Sequence, residues 1–238
     1  KGAADIKRGQ TFTKVANVIT IAVKAGGSGD PNANPRLRMA IESAHSVNMP
    51  KNNIDRAVER GLGKGKEALE EVTYEGFGPG QVAFIVEGVT DNRLRTNQEI
   101  RSIFERNGGS LAGSGAVSYM FEKKGEIRVK SKGGEPDEEM LELIDLSAED
   151  VEDYQEEAVN KYLVYVPSSE LNTMGNKITQ GGFEVESQDL VMKPTTTQII
   201  TDQVIAQKVI DFAGKLEEQD DVQKVYANFD IPDELMLT

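Results

Sequence analysis

Basic side chains stand at two predicted helix starts, where acidic residues would be the stabilising choice. Arg36 follows Pro35 and Lys51 follows Pro50, and proline is common at the first position of a helix. The helix dipole presents its positive end there, so a cation costs a few tenths to about 1 kcal/mol. Free backbone N–H groups at the same place suit a phosphate. The placement predicts an anion site, and the alternative is a solvated surface whose cations serve solubility.

The positive charge of the chain is concentrated in its N-terminal quarter. Residues 1–66 hold twelve Lys or Arg against five Asp or Glu, whereas residues 67–238 hold fifteen against thirty-five, which gives +7 and −20 and sums to −13. Salt screens charges beyond roughly 10 Å, so the basic part can bind what the acidic part repels. The predicted nucleic-acid-binding cations of this segment are Lys7, Arg8, Lys14, Arg36, Arg38, Lys51, Arg56 and Arg60.

A second basic pair lies in the segment TDNRLRT. Arg93 and Arg95 fall between the end of a predicted strand and a helix whose capping box would be Thr96 and Glu99. Loops held between rigid elements often carry function, so both arginines are candidates for nucleic-acid binding. The alternative, which the composition of the segment favours, is an arginine pair that binds carbonyls or the neighbouring Asp91.

Three glycine-rich stretches, GLGKGKEA, GFGPGQ and NGGSLAGSG, lack the context of a phosphate-binding loop. GFGPGQ leads into a strand instead of a helix, and GLGKGKEA has no Lys-Ser/Thr pair at the required spacing. They are predicted to be turns with positive φ. The functional alternative is a mobile contact loop formed by Tyr74, Gly76, Gly78, Pro79 and Gly80.

The hydrophobic pattern changes from helical to strand-like along the chain. Apolar residues at helical spacing predict three short helices within residues 11–61, and QVAFIVEGVT at 81–90 predicts a strand. Two more strands are expected near 116–122 and 125–130, after the helix that follows Arg95. A helix and a strand near the C-terminus would complete this sheet, because a β-α-β-β set is an unfinished ferredoxin-like layer.

These elements predict an α+β multidomain fold. A basic three-helix bundle occupies residues 1–72, a discontinuous α+β domain occupies 73–133 and 197–238, and an acidic α+β domain is inserted at 134–196. Both α+β domains are expected to be ferredoxin-like, and the turn-rich segment SKGGEPDEE marks the start of the insertion.

Several classes of function have no support in the composition. The chain has no Cys and a single His45, so no metal site, His-based triad or Cys nucleophile is predicted. Acids between residues 135 and 157 lack the spacing of a calcium loop and are interpreted as a solvated face. No run approaches the roughly 20 apolar residues of a membrane span. We expect no cofactor, no small-molecule substrate, no membrane association and no enzyme activity.

The chain resembles the YebC/PmpR family through motifs along nearly its whole length. The matching segments are NANPRLRMAIESA, NMPKNNIDRAVERG, YEGFGPG, TDNRLRTNQEIRSIF, NGG, FEVESQDLVMKP and VYANFDIP. The resemblance implies a helical domain followed by two α+β domains, one inserted in the other. Members begin with a further basic segment, and the absence of an initial Met predicts that such a segment precedes Lys1.

The resemblance also implies a non-enzymatic role in gene expression, with two possible targets. Bacterial members are labelled probable transcriptional regulators that bind DNA, mitochondrial members activate translation of cytochrome oxidase subunit one, and others relieve ribosome stalling at proline-rich stretches. No polar recognition helix is evident, so contact with the phosphates of ribosomal RNA or mRNA is favoured over readout of promoter DNA. A bacterial cytoplasmic location is expected, with the mitochondrial matrix as the alternative.

Overall fold

Three helices form the N-terminal part of the protein. The computed structural model describes residues 2–64, 69–156 and 158–232, with side chains from residue 7 onward. The helices are α1 Gly2–Gly26, α2 Pro35–Ser46 and α3 Lys51–Glu59, and a π-helical turn, Arg60–Lys64, follows α3. Their buried core comprises Ile19, Ala22, Val23, Leu37, Ala40, Ala44, Met49, Ile54 and Ala57.

Helix α1 is longer than the sequence predicts. Apolar spacing places its start near residue 11, but the helix begins at Gly2. Its added turns carry Gly9, which lowers helix propensity by about 1 kcal/mol relative to Ala. The next residue, Gln10, donates to Asp220 at 3.1 Å, a contact that helix propensity cannot anticipate.

The remaining elements alternate between strands and helices. First come β1 Glu70–Phe77, β2 Ala83–Thr90, α4 Arg93–Arg106 and β3 Ser110–Ala112. The middle of the chain forms β4 Phe121–Lys130, α5 Pro136–Asp145, β5 Asp150–Glu156, β6 Val159–Pro167, α6 Leu171–Gln180 and β7 Glu184–Pro194. The last elements are β8 Gln198–Ile199, α7 Gln203–Glu218, β9 Val222–Ala227 and β10 Phe229–Asp230.

The chain divides into two compact units. One comprises residues 1–120 and 196–238, and the other comprises residues 121–195. In the first unit β3, β1, β2 and β9 form an antiparallel sheet in that order, and β8 pairs with β10 in parallel. The α+β fold class is therefore confirmed, while the division of the first unit into two domains stays a prediction.

The two faces of the first sheet have different neighbours. On β1, Val72, Tyr74 and Gly76 face the core shared with α4 and α7, where the rings of Phe84 and Phe104 each meet Phe212 edge to face with centroids 4.9 Å apart. Strand residues alternate between faces, so Glu71, Thr73 and Glu75 lie on the opposite face. At the end of β2, Val89 packs with Leu69 and with Ile21 of α1.

The second unit has the βαββαβ order of a ferredoxin-like fold. Its antiparallel sheet runs β5-β6-β4-β7, so β4 is a central strand bonded to β6 and β7. This corrects the expectation of two strands at 116–122 and 125–130 in the first sheet. Residues 121–130 form one strand of the second unit, because βαββαβ topology requires a strand before α5.

Candidate nucleic-acid interface

The start of α2 is capped and anchored to α1. Asn34 accepts a hydrogen bond from the Leu37 N–H at 3.1 Å and donates to the Ala22 carbonyl at 2.9 Å. The first turn carries no acidic residue, so Arg36 and Arg38 stand at the positive end of the helix dipole as predicted. The anchoring means that this end of α2 is held in a fixed position on α1.

The start of α3 has no side-chain cap. Pro50 is the capping residue, its carbonyl receives the Asn53 N–H at 2.9 Å, and the first turn holds no acid. Lys51 and Asn52, both exposed, are the first two residues of the helix, and N–H groups at these positions have no intrahelical acceptor. An uncapped helix start beside a lysine is an environment suited to an oxyanion.

Six of the ten predicted cations are exposed and have no acidic partner among the described residues. Arg8 stacks its guanidinium over the Phe12 ring at 5.2 Å, which holds the charge at the surface of α1. The six are Lys7, Arg8, Arg38, Lys51, Arg56 and Arg93. Their charges remain available to a polyanion.

The other four predicted cations are engaged within the first unit. Arg36 forms a bidentate pair with Glu71 of β1. Lys14 donates to the Glu217 carbonyl at 2.6 Å, and burial lowers the pKa of its amine despite the nearby Asp220. Lys14 and Arg36 are therefore engaged by residues distant in the sequence, and their role in nucleic-acid binding stays a prediction.

Arg60 and Arg95 are also committed to internal contacts. Arg60 donates to Thr20 Oγ1 at 3.0 Å and to Asn17 Oδ1 at 2.9 Å, so it ties the end of α3 to α1. Arg95 pairs with Asp91 at 3.0 Å and with Asp221 at 2.8 Å. For Arg95 the interpretation as a structural arginine is the one that the contacts support.

Asp221 is the centre of a buried polar network. It accepts from Thr96 Oγ1 at 2.6 Å, from Arg95 at 2.8 Å and from Thr90 Oγ1 at 3.2 Å. Burial acts to raise the pKa of this carboxyl, but the hydrogen bonds from Thr96 and Arg95 outweigh it and lower the pKa.

The predicted capping box at Thr96 is wrong. Helix α4 begins at Arg93 behind Asn92, whose side chain accepts from the Arg95 N–H at 3.1 Å. Thr96 lies inside the helix and is fully buried, where its hydroxyl serves the network of Asp221. Arg93 and Arg95 are therefore residues of the first helical turn and do not lie in a loop.

The predicted contact loop is a strand and a buried turn. Tyr74 and Gly76 belong to β1, and Gly78 and Pro79 are buried. A Cβ on Gly76 would lie 2.5 Å from the Ser110 carbonyl, and one on Gly78 would lie 2.6 Å from the Phe84 ring. These glycines permit close packing. Of the five residues of the predicted loop, only Gly80 is an exposed turn glycine with positive φ, at 68°.

A charged cleft of about 430 Å³ is lined by residues of α1 and α4, by Arg60 and Leu69, and by the segment before β9. Thr13, Asn17, Leu69 and Gln219 line it together with six charged residues. These are the carboxylates of Asp91, Glu99, Asp220 and Asp221 and the guanidinium groups of Arg60 and Arg95. The excess of acid opposes entry of a phosphate. Arg60 and Arg95 belong to the predicted nucleic-acid-binding cations, but in this cleft the carboxylates outnumber them.

Within residues 2–64, 69–156 and 158–232, no group of three His, Cys, Asp or Glu side chains is arranged to hold a metal ion. Over the same ranges, no helix is both long and apolar enough to cross a membrane.

The acidic partners on β1 were missed by reasoning from the sequence. Glu71 binds Arg36, and Glu75 accepts three backbone N–H groups from residues 115–118. Both are odd-numbered residues of one strand, so the alternation of side chains places them on the same face. That alternation is the available signal, but the sequence predicts a domain boundary after residue 72 and a contact loop from Tyr74 onward, which separates the two acids.

Comparison with known proteins gives matches over the whole described fold. A family model described as the TACO1/YebC protein N-terminal domain matches residues 1–64, and a model of the TACO1/YebC second and third domain matches residues 69–229. Helices α1, α2 and α3 fall in the former, and both four-stranded sheets fall in the latter.

Similar proteins come from several bacteria. A "probable transcriptional regulatory protein" of Sulfurihydrogenibium is 48% identical, with 99% of this chain and 93% of that protein covered. One of the same description from Fusobacterium nucleatum is 46% identical at the same coverage. The crystal structure of a conserved hypothetical protein of Aquifex aeolicus has a TM-score of 0.88 and 42% identity, and the match covers 100% of this chain and 96% of that one.

Proposed function

Because the chain belongs to the TACO1/YebC family, we propose that it is a non-enzymatic regulator of gene expression that binds structured RNA of the ribosome. The N-terminal helices bind phosphates, and the α+β parts position further contacts. The bacterial relatives support a cytoplasmic site of action.

The observation that carries the proposal is the uncapped, acid-free start of α3 beside exposed cations. Lys51 is exposed at that start, and Arg38 and Arg56 are exposed on α2 and α3 without acidic partners among the described residues. Helix starts and cations of this kind bind phosphates without reading sequence. The excess of acid in residues 67–238 keeps a polyanion on the helices.

The composition of α3 favours approach of RNA to its start over insertion of the helix into a groove. Asp55 and Glu59 stand beside Arg56 on its exposed side, and their carboxylates would repel the phosphates that flank a major groove. Structured RNA is recognised mainly through shape, phosphates and 2′-hydroxyls. Contact at the helix start satisfies that mode, and it leaves the acidic side of α3 in solvent.

DNA-binding regulation of transcription is the second candidate, favoured by the names that the bacterial relatives carry. A sequence-specific DNA regulator has a specific affinity on the order of a thousandfold or more above its non-specific affinity at matched salt. A backbone-directed RNA factor lacks such a ratio for DNA.

A competition experiment separates the two candidates. The protein is allowed to co-sediment with ribosomes at 0.1 M salt, and a large excess of promoter DNA fragments from the source genome is added. We expect the protein to stay with the ribosomes and to bind all fragments with similar, weak affinity. Release from ribosomes by one fragment, and not by a scrambled fragment of equal length, would instead establish the DNA-binding role.

Glu71→Gln should raise the affinity for ribosomal RNA by about 5- to 8-fold at 0.1 M salt, because it frees Arg36 for one more phosphate contact. The Arg36–Glu71 pair is half exposed on both sides, so its loss should change stability by at most about 1 kcal/mol. Filter binding at several salt concentrations measures the gain.

The control for this variant is Glu42→Gln, which removes an exposed carboxylate of α2 that has no basic partner among the described residues. It changes net charge equally without freeing a cation. Equal gains in the two variants would mean that Arg36 does not contact RNA.

A further inference from the structure

A buried carboxylate fixes the segment between β3 and β4. Glu75 of β1 is 6% exposed and accepts from the N–H groups of Gly115 at 2.8 Å, Val117 at 2.8 Å and Ser118 at 2.9 Å. Burial acts to raise the pKa of this carboxyl, but the backbone hydrogen bonds prevail and lower it. The carboxylate therefore stays charged and keeps the segment in one conformation.

The fixed segment presents an exposed aromatic ring. Val117 is fully buried as an anchor, and the Met120 N–H bonds the Val117 carbonyl at 2.9 Å across a short 3₁₀ turn. Tyr119, in the middle of that turn, is 75% exposed. A ring with two side-chain rotations on a rigid support loses little entropy when it binds a partner.

The carboxylate that holds the segment of Tyr119 lies on the same sheet face as the carboxylate that binds α2. Glu71, which binds Arg36 of α2, and Glu75, which holds the segment of Tyr119, are four residues apart on β1. At about 3.3 Å per residue they are separated by about 13 Å and lie on the same face. The contact that binds α2 and the contacts that hold the segment of Tyr119 therefore start from the same face of the first sheet.

We propose that Tyr119 stacks on an unpaired nucleobase of the RNA whose phosphates the N-terminal helices bind. The inference rests on the proposed function and adds a base-contacting residue to it. Single-stranded loops and bulges are recognised by stacking of bases on aromatic side chains, which is tolerant of sequence. The carboxylate of Glu75 does not oppose this contact, because it is buried and accepts three backbone hydrogen bonds.

Tyr119→Trp provides a direct test, since the chain has no Trp and the substitution creates a single reporter at an exposed position. Titration with an unstructured RNA oligonucleotide should quench the indole fluorescence with the same midpoint as binding measured by anisotropy of labelled RNA. A fully paired RNA duplex of equal length should bind without quenching it. Leu141→Trp, on α5 in the second unit and 61% exposed, is the matched reporter and should stay unquenched.

Tyr119→Ala should weaken binding of the unstructured RNA by about 5- to 100-fold, with little change for the duplex. Tyr119→Phe keeps the ring and should restore affinity to within about twofold. If Tyr119→Ala binds the unstructured RNA like wild type, or if the Trp reporter is not quenched, the stacking role is wrong while phosphate binding by the helices stands. If wild type binds neither RNA, the proposed function fails and the stacking role fails with it.

Discussion

Neutralising Arg38, Lys51 and Arg56 together as glutamines should weaken binding to ribosomal RNA by about 100- to 500-fold at 0.1 M salt. Each phosphate contact steepens the fall of log affinity with log salt by about 0.7–0.9. Between 1 M and 0.1 M salt, three lost contacts therefore reduce the gain in log affinity by roughly 2.1–2.7. The three cations are exposed and have no acidic partner among the described residues. Their neutralisation should therefore leave folding almost unchanged.

The slope is a sharper measure than a single affinity. Filter binding from 0.05 to 0.3 M salt should show the slope fall by about two to three units in the triple variant. Near 1 M salt the variant and wild type should converge, because the released counterions then contribute little. An unchanged slope would show that these residues do not neutralise phosphates, whatever happened to the affinity.

A matched triple variant controls for net charge. Arg106, Lys123 and Lys208 are exposed, lack an acidic partner among the described residues and lie outside the basic N-terminal segment. Replacing them by glutamine changes the total charge by the same amount. We expect less than about a threefold loss of affinity, since the exposed charges are screened over roughly 10 Å.

The starts of α2 and α3 were predictable because local chemistry determines them. For α2 the signals are Asn34 as the cap and Pro35 at the first position, and for α3 the signal is Pro50 as the cap. Together with an apolar face at helical spacing, they act within a few residues. The same holds for β2, whose run of β-branched and aromatic residues is buried on both faces. Elements that depend on such neighbours can be located from the sequence alone.

Strand β1 was not predictable in this way. EEVTYEGF contains three acids and a glycine that lower strand propensity, yet the strand pairs with β2 on one side and β3 on the other. Gly76 is favoured by tertiary packing, because the Ser110 carbonyl and the Phe104 ring leave no room for a Cβ. A glycine chosen for close approach and a glycine chosen for a turn look alike in sequence.

The availability of each cation was likewise set by distant residues. Arg36 is bound by Glu71, Lys14 by the carbonyl of Glu217, and Arg95 by Asp221. These partners are 35, 203 and 126 positions away. Sequence could identify the basic segment, but only the fold separates the cations that are free to bind a ligand from those that hold the first unit together.

Glu139→Gln should destabilise the second unit by about 2–3 kcal/mol at neutral pH, because hydrogen bonds to a buried charged group are worth about 1.5–3 kcal/mol each and the amide can satisfy only some of the donors. Glu139 is 2% exposed. It accepts from the N–H groups of Lys132 at 3.0 Å and Gly134 at 2.8 Å and from Tyr162 Oη at 2.8 Å. Burial and the bond to Glu139 raise the pKa of Tyr162 to about 12, so its hydroxyl remains a donor.

The effect of this substitution should disappear in acid. Burial opposes ionisation of Glu139, but hydrogen bonds from Tyr162 and Gly134 outweigh it and lower its pKa. A carboxyl with a lowered folded-state pKa stabilises the fold fully above its unfolded value, about 4.3, and loses that contribution as the pH falls through the folded value. Urea unfolding at pH 7, 5 and 3 should show wild type approach the variant only at the lowest pH. The control is Glu138→Gln, an exposed neighbour on α5, which should change stability by less than about 0.5 kcal/mol at every pH. A pH-independent difference for Glu139→Gln would mean that the carboxylate charge does not stabilise the segment of Lys132 and Gly134.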